Sequence, residues 1–379
     1  MTRPLRAGVI GVGLAGGPHI EAIGRTGLAE AAAVAASSEQ SARRAADRYA
    51  VAEAHGDWHA LVEDPAIDVV HNCTPNHLHA EVARAVLAAG KHLITEKPLA
   101  TDIGDATALV AAAADSPVTT AFCHNYRSYA MVTEAHELIR DGAIGEVFHV
   151  HGVYLQDWLS EGDVRNWRLD PVQSGASTTF ADLGTHWCDL AMHLSGRRIE
   201  SVCAAIASRH GRPIDDHGGV VFRFDGGALG TLVFSQVSPG AKNSFRIRLD
   251  GSDGSLYWDQ ERPEELWLGR AGGPTELRRK SAGQLHERAE RRAHLPAGEL
   301  EGWNTTFVNL FASIYRTILG CAVPGDELVA TLADGLVLMR VIEAVTRSNA
   351  ERAWVDCRRA TLLDDQGPVA TYRTGHRRA

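Results

Sequence analysis

The first 122 residues alternate short apolar runs with longer stretches whose apolar positions recur every three or four residues, many of them alanine. Runs at 5–10, 30–36, 67–73, 91–95 and 118–122 predict strands. The stretches 14–25, 39–49, 76–89 and 102–114 predict helices between them. Ile67-Asp68-Val69-Val70 and His92-Leu93-Ile94 do not alternate strictly, which suits strands covered on both faces. Strand–helix repetition with short connections predicts a doubly wound parallel sheet with right-handed crossovers.

After about residue 123 the pattern changes. A helix near 128–141 stops at Asp141-Gly142, a strand follows at 146–155, and a second helix covers roughly 181–194. Strands then dominate, at 199–208, 217–225, 228–236, 244–250, 254–258 and 264–268. Two of them flank Asp225-Gly226-Gly227, a hairpin turn sequence, so an antiparallel sheet is expected. Residues 271–300 are polar and read as a long irregular excursion, and helices at 303–320 and 327–348 close the chain's second half. The class is α/β: a nucleotide-binding unit over 1–123, then a second α/β domain over 124–379 with a large, open, mainly antiparallel sheet.

Composition narrows the function. With 379 residues, 45% hydrophobic and 22% charged, the chain is long enough for two domains with ordinary globular cores. A net charge of −9 argues against a nucleic-acid partner. The one basic cluster, Arg278, Arg279, Lys280, Arg288, Arg291 and Arg292, is interleaved with glutamates and reads as a solvated surface. Six cysteines without a C-x-x-C pair suit reduced thiols in the cytoplasm. No apolar run approaches the roughly 18 residues of a membrane span, so no membrane partner is expected.

Gly11-x-Gly13-x-x-Gly16 follows the first strand and opens the first helix. That context suits a dinucleotide. Gly11 makes the tight turn, Gly13 admits the pyrophosphate to bare backbone, and Gly16 lets helix and strand pack closely. The loop Gly11, Gly13, Leu14 and Ala15 then presents N–H groups to the phosphates. At the end of the second strand stand Ser37-Ser38 where an acidic residue usually holds a ribose, with Arg43 close enough to meet a 2′-phosphate. Glu39 beside them could hold the ribose hydroxyls instead, so the cofactor is NAD(P), with NADP slightly favoured.

Three further stations lie at strand ends or on the second helix. Thr74-Pro75-Asn76, with His79 three residues on, would lay rigid backbone against a cofactor, while Asn76 also suits a helix N-cap. Glu96-Lys97-Pro98 places a lysine where it could polarise a substrate hydroxyl, although most Lys-Pro pairs are surface turns. Asp182-x-Gly184-x-His186 puts a carboxylate and an imidazole on one helix face, as an ordinary helix pair would also do. Trp158, Arg165, Asn166, Trp167 and Arg168 add stacking faces and paired donors suited to a polyhydroxylated ligand, or else a core tryptophan. No metal site is expected: His77 and His79 diverge at i, i+2, and Asp182, His186 and His193 lack a fourth ligand.

The ordered set of motifs resembles the glucose–fructose oxidoreductase, inositol dehydrogenase and rhizopine catabolism family, written Gfo/Idh/MocA, over nearly the full chain. The resemblance implies a Rossmann domain followed by an α/β domain whose open sheet serves as an oligomer interface, hence a dimer or tetramer. It implies that Lys97 is the catalytic lysine, with Asp182 and His186 handling the proton and Asp182 orienting the imidazole. Thr74, Pro75, Asn76, His79, Glu96, Lys97, Asn125, Trp167 and Arg168 are expected at the cofactor. Lys97, Arg127, Trp158, Arg165, Asp182 and His186 are expected at the substrate. The activity implied is hydride transfer between the nicotinamide and a secondary hydroxyl or ketone of a sugar, anhydrosugar or inositol-type polyol. A nicotinamide-dependent glycoside hydrolase and a non-catalytic cofactor-sensing regulator are the alternatives within the family.

Overall fold

The computed structural model describes residues 3–358. Six parallel strands form the first sheet: β1 (Leu5–Ile10), β2 (Ala29–Ala35), β3 (Glu53–His55), β4 (Val69–Asn72), β5 (His92–Thr95) and β6 (Thr120–Phe122). Their order is β3-β2-β1-β4-β5-β6, so the direction of winding reverses between β1 and β4. In such sheets ligands collect outside the carboxyl ends of the strands at that reversal. All four residues of β4 are buried, as a strand with both faces covered requires. The helices α1 (Gly16–Arg25), α2 (Glu39–Tyr49), α3 (Trp58–Glu63), α4 (His79–Ala88) and α5 (Ile103–Ala114) lie between the strands. Side chains cap α2 and α5: the Ser38 hydroxyl accepts from Ser41 N and the Asp102 carboxylate from Asp105 N. The β3–α3 pair has no counterpart in the sequence reading, because three residues of strand and six of helix are too short to show a period.

The second half begins with α6 (Ala130–Arg140) and β7 (Val147–Gln156). The short α7 (Pro171–Ser174) and a π-helical turn over Phe180–Gly184 lead into α8 (Thr185–Ser195). Then come β8 (Ile199–Ala207), β9 (His217–Phe224), β10 (Leu229–Ser235), β11 (Asn243–Gly251), β12 (Gly254–Asp259), β13 (Glu265–Arg270) and β14 (Thr275–Arg279). The sheet has nine strands in the order β14-β13-β12-β11-β7-β10-β9-β8-β15, β15 being Val355–Asp356. It is mixed rather than purely antiparallel. The early strand β7 inserts between β11 and β10 and runs parallel to β10.

The expected excursion at 271–300 holds β14 and the short helix α9 (Glu287–Glu290). Its basic cluster is only partly surface. Lys280 is buried against Glu264 and Glu301 at 2.9 and 2.6 Å, and Arg292 is buried against three oxygens, including the Arg127 carbonyl at 2.6 Å. Spacing alone could not show that these charges close onto partners brought by distant elements.

The last helices, α10 (Trp303–Ile318) and α11 (Leu332–Glu351), cross back over the first sheet. α10 lies on α1 and seats Phe307, Phe311 and Ile314 in one core with Val9, Val34, Ile20 and Ile23. α11 packs on α5 as well as on β8, and starts at Leu332 because Thr331 and Asp334 cap it reciprocally. Residues 303–351 therefore pack against both sheets, which the expected boundary at 123/124 does not capture. Among the described residues no helix is long and apolar enough to cross a membrane.

Candidate active site

A cleft of about 780 Å³ opens at the carboxyl ends of β1, β4 and β5 and reaches across to β7, the π turn and α8. On the first-sheet side it is lined by Gly11, Gly13, Leu14, Ala15, Ser37, Thr74, Pro75, Asn76, His79, Glu96, Lys97 and Asn125, all expected there. Across the cleft Trp158, Trp167, Arg168, Asp182 and His186 face them. Residues far apart in sequence thus converge on one cavity.

The glycine loop fits a dinucleotide on its own geometry. Gly11 has φ +92°, and a Cβ there would stand 2.3 Å from the Cys73 carbonyl oxygen, so only glycine turns this corner. A Cβ on Gly13 would meet nothing within 4 Å. That glycine keeps space open toward the cleft. Across the cleft, the Arg168 guanidinium lies 4.4 Å over the Trp167 ring; on the first-sheet side, the Asn125 amide donates to the Thr306 hydroxyl of α10 at 2.7 Å. Asn76 is not the helix cap it could have been; its side-chain amide donates to the Ser174 carbonyl at 3.1 Å, tying the turn to α7.

Glu96 is buried at the floor of the cleft. Burial pushes its carboxyl up, but His19 and then Lys97 more than offset this and bring it down to about 2. An ionised Glu96 fixes a chain of donors behind it. His19 Nε2 donates to Glu96 at 3.1 Å, His71 Nδ1 to His19 Nδ1 at 3.0 Å, and the Tyr315 hydroxyl to His71 Nε2 at 2.7 Å. This buried chain ties α10 to the strand end that carries Lys97.

Lys97 precedes Pro98 across a cis peptide bond. Its ammonium contacts the Asp182 carboxylate and, at 3.1 Å, the Asp182 carbonyl. The other carboxylate oxygen accepts from Gln236 at 2.7 Å. Asp182 is therefore occupied by Lys97 and Gln236 and does not orient His186 as expected. The π-helical turn explains the difference. It interrupts the regular spacing that would have set the two side chains one above the other, and Gly184 permits it because a Cβ there would strike the Phe180 ring at 2.3 Å. Burial raises the Asp182 carboxyl, but Lys97 and Arg168 hold it below its usual range.

His186 is buried, and burial followed by the Lys97 and His124 charges pulls it well below its ordinary value, so the imidazole is neutral. Its Nδ1 is sealed without a hydrogen-bond partner, which leaves Nε2 to meet a ligand. His124 and Tyr126 pack on the ring at 5.2 and 4.9 Å.

Four expected residues lie elsewhere. Arg127 is buried behind the cleft, bound to Asp189 at 2.5 and 2.9 Å. Arg165 is exposed and outside the lining. Ser38 caps α2, and Arg43 pairs with Glu39 at 3.3 Å on its surface. Sequence reasoning missed Tyr126, Tyr154, Gln156 and Asn243, which also line the cleft. Gln156 accepts from Trp158 at 3.1 Å and from Gln236 at 3.3 Å and donates to Asn243 at 2.7 Å. These residues carry no motif, and only the strand pairing brings them together.

A nucleotide-binding parallel sheet joined to a second open sheet, with an ammonium and a neutral imidazole meeting between them, defines a nicotinamide-dependent oxidoreductase. Residues 5–124 match the model of the oxidoreductase family with an NAD-binding Rossmann fold, and residues 132–257 match the GFO/IDH/MocA C-terminal domain. The chain belongs to the Gfo/Idh/MocA family. Levoglucosan dehydrogenase of Pseudarthrobacter phenanthrenivorans is 29% identical over 350 residues, 85% of this chain and 88% of that protein. An oxidoreductase from Sinorhizobium meliloti superposes with a TM-score of 0.85 at 31% identity, covering 93% of this chain and 100% of its own. A levoglucosan dehydrogenase solved with NADH and levoglucosan gives a TM-score of 0.87 at 28% identity, covering 93% and 99%.

Proposed function

We propose that the protein is a dehydrogenase that moves a hydride between NAD(P) and a secondary hydroxyl or ketone of a sugar, anhydrosugar or inositol-type polyol. The observation that carries this reading is the placement of Lys97 and His186 on one cleft beside the glycine loop. Bound against Gly11, Gly13, Thr74, Pro75 and Glu96, the nicotinamide cofactor supplies the hydride acceptor or donor. Neutral His186 takes the hydroxyl proton on Nε2 during oxidation and returns it during reduction. Lys97, fixed by Asp182, stabilises the alkoxide as negative charge grows on the substrate oxygen. Trp158 and Trp167 offer stacking faces, and the Gln156 and Asn243 amides offer neutral donors and acceptors for hydroxyl groups. The levoglucosan dehydrogenase comparison supports a substrate of this class.

NADP(H) is slightly favoured over NAD, with Arg43 paired to Glu39 outside the cleft lining. At the end of β2 the cleft is lined by Ala36, Ser37 and Ser41, with no carboxylate. Glu39 turns its side chain to the Gly56 N–H at 3.0 Å and to Arg43. Six free thiols accord with a cytoplasmic protein. Val221, Leu229, Val233 and Trp267, exposed on one face of the nine-stranded sheet, suit packing against a second copy, which light scattering tests.

Absorbance in the reduced-nicotinamide band, with NAD and NADP separately against monosaccharides, anhydrosugars and inositols, tests the activity. The expected result is stoichiometric NAD(P)H, with kcat/KM higher for NADP. Cleavage of a glycoside without net NAD(P)H would replace the dehydrogenase with the hydrolase.

A further inference from the structure

The inner nitrogen of His186, Nδ1, is sealed from solvent without a hydrogen-bond partner. The carboxylate that sequence spacing offered to it, Asp182, is spent on Lys97 and Gln236. We propose that His124, backed by Asp189, is the residue that positions His186: its Nε2 accepts from the His186 Nδ1–H, while its own Nδ1–H points to the Asp189 carboxylate. The inference rests on His186 being the proton acceptor of the proposed reaction.

Local structure gathers the three groups. His186 and Asp189 are three apart on α8, so their side chains leave one face of that helix. His124 follows β6, immediately before the turn Asn125–Ser128, and packs against that face. Its ring centre lies 5.2 Å from that of His186, with the planes at 82°, an edge-to-face contact. Its Nδ1 stands 3.8 Å from Asp189 Oδ2. His124 therefore touches an imidazole and a carboxylate at once. It is fully buried and lies behind the cleft, outside the lining.

Both nitrogens of His124 are also buried without a hydrogen-bond partner, so one contact between two imidazoles holds three such atoms. Buried polar groups are nearly always paired, and an unpaired set beside a reacting group points to bonds completed when the site is loaded. Hydrogen bonds around a general base are often long before the ligand arrives and tighten in the complex. Turning the His124 ring about its Cβ–Cγ bond, with Nδ1 closing on Asp189 by about 1 Å, reaches ordinary hydrogen-bond length.

The protonation states fit. Burial, against the pull of Asp189, draws His124 below its ordinary value, so the ring is neutral and has one donor and one acceptor nitrogen. Asp189 accepts from Arg127 at 2.5 and 2.9 Å, and its oxygens keep lone pairs for a further donor. The bond from His186 Nδ1–H to His124 fixes the tautomer that leaves the Nε2 lone pair free for the substrate. When Nε2 takes the hydroxyl proton, His186 becomes an imidazolium and keeps its Nδ1–H. His124 stays neutral, and no proton passes to Asp189.

Two variants separate this role from packing. His124→Phe keeps a ring against His186 but offers no nitrogen, whereas His124→Gln loses the ring and keeps an acceptor and a donor. With NADP and the sugar or polyol selected by the absorbance screen, His124→Phe should lower kcat about tenfold or more, with KM and the cofactor dissociation constant within about twofold. His124→Gln should retain most of the wild-type kcat. The reverse order, an active Phe variant and an impaired Gln variant, makes the ring a packing element and overturns the proposal. A crystal structure of the wild-type chain with NADPH gives a readout free of turnover. His124 Nε2 and His186 Nδ1 are expected within about 3.2 Å, and a separation beyond about 4 Å overturns the pairing. His186→Ala, measured alongside, tells the two failures apart: unchanged turnover removes His186 as the base, whereas a large loss there with none in His124→Phe removes only His124.

Discussion

Lys97 and Asp182 stand 85 positions apart, and the lysine ammonium holds both the carboxylate and the main-chain carbonyl of the aspartate. With side-chain exposures of 13% and 24%, the pair is largely withdrawn from water, so its partners depend on each other. The ammonium is thereby fixed at the cleft before any ligand arrives, and the π-helical turn is the backbone feature that delivers the aspartate to it.

Replacing Lys97 or His186 by alanine is expected to lower kcat by about 10²–10⁴. The cofactor dissociation constant, followed by fluorescence titration, should change far less. Unchanged turnover in both variants would remove these residues from the mechanism.

Gln236 donates to the aspartate's second oxygen and to Gln156 and accepts from the Thr179 hydroxyl at 2.8 Å, so it acts at one remove from the substrate. Gln236→Leu should cost roughly tenfold in kcat/KM, about 1.4 kcal/mol. It should also move the acid limb of the pH–rate profile upward, because Asp182 loses a hydrogen bond that helps to keep it ionised. A Gln236→Glu variant tests the same contact, since two carboxylates there would repel.

Glu96 sets a pH signature on stability. Its carboxyl sits at about 2 in the folded chain against an ordinary 4.5, so the stabilisation is complete above pH 4.5 and drains away as pH falls toward 2. A shift of this size corresponds to about 3 kcal/mol. Urea midpoints of wild type and Glu96→Gln, measured from pH 7 downward, should converge through that window. Parallel curves would mean that the carboxylate is not held as described.

Gly13 and Gly16 should separate binding from folding. Gly13→Ala projects its methyl group into open space, leaving the melting temperature alone while weakening cofactor binding about tenfold or more. Gly16→Ala would bring a Cβ to 2.0 Å from the Gly11 carbonyl oxygen and should destabilise the fold by about 1–3 kcal/mol.

What was legible in the chain followed from local periodicity. Apolar runs located five of the six strands of the first sheet, and the motifs at their ends put Gly11, Thr74 and Lys97 in the cleft. Features that depend on distant pairing were not legible. The insertion of β7 beside β10, the burial of Lys280 and Arg292, and the meeting of Gln156 with Gln236 all arise from register between remote segments. Arg127 carried the right chemistry for a substrate contact, yet Asp189 claims it from the opposite side. Asp182 and His186 were read as a helical pair because a single π-helical turn leaves no periodic trace in so short a stretch.

The hydrogen-bonded line from Tyr315 to Glu96 has a bearing on protein engineering. A nucleotide-binding half cut at residue 123 would leave behind the helix that lies on α1 and the hydroxyl that ends the line, exposing an oily surface and stranding two buried imidazoles. Chimeras that exchange cofactor halves between relatives should therefore carry residues 303–318 with the graft.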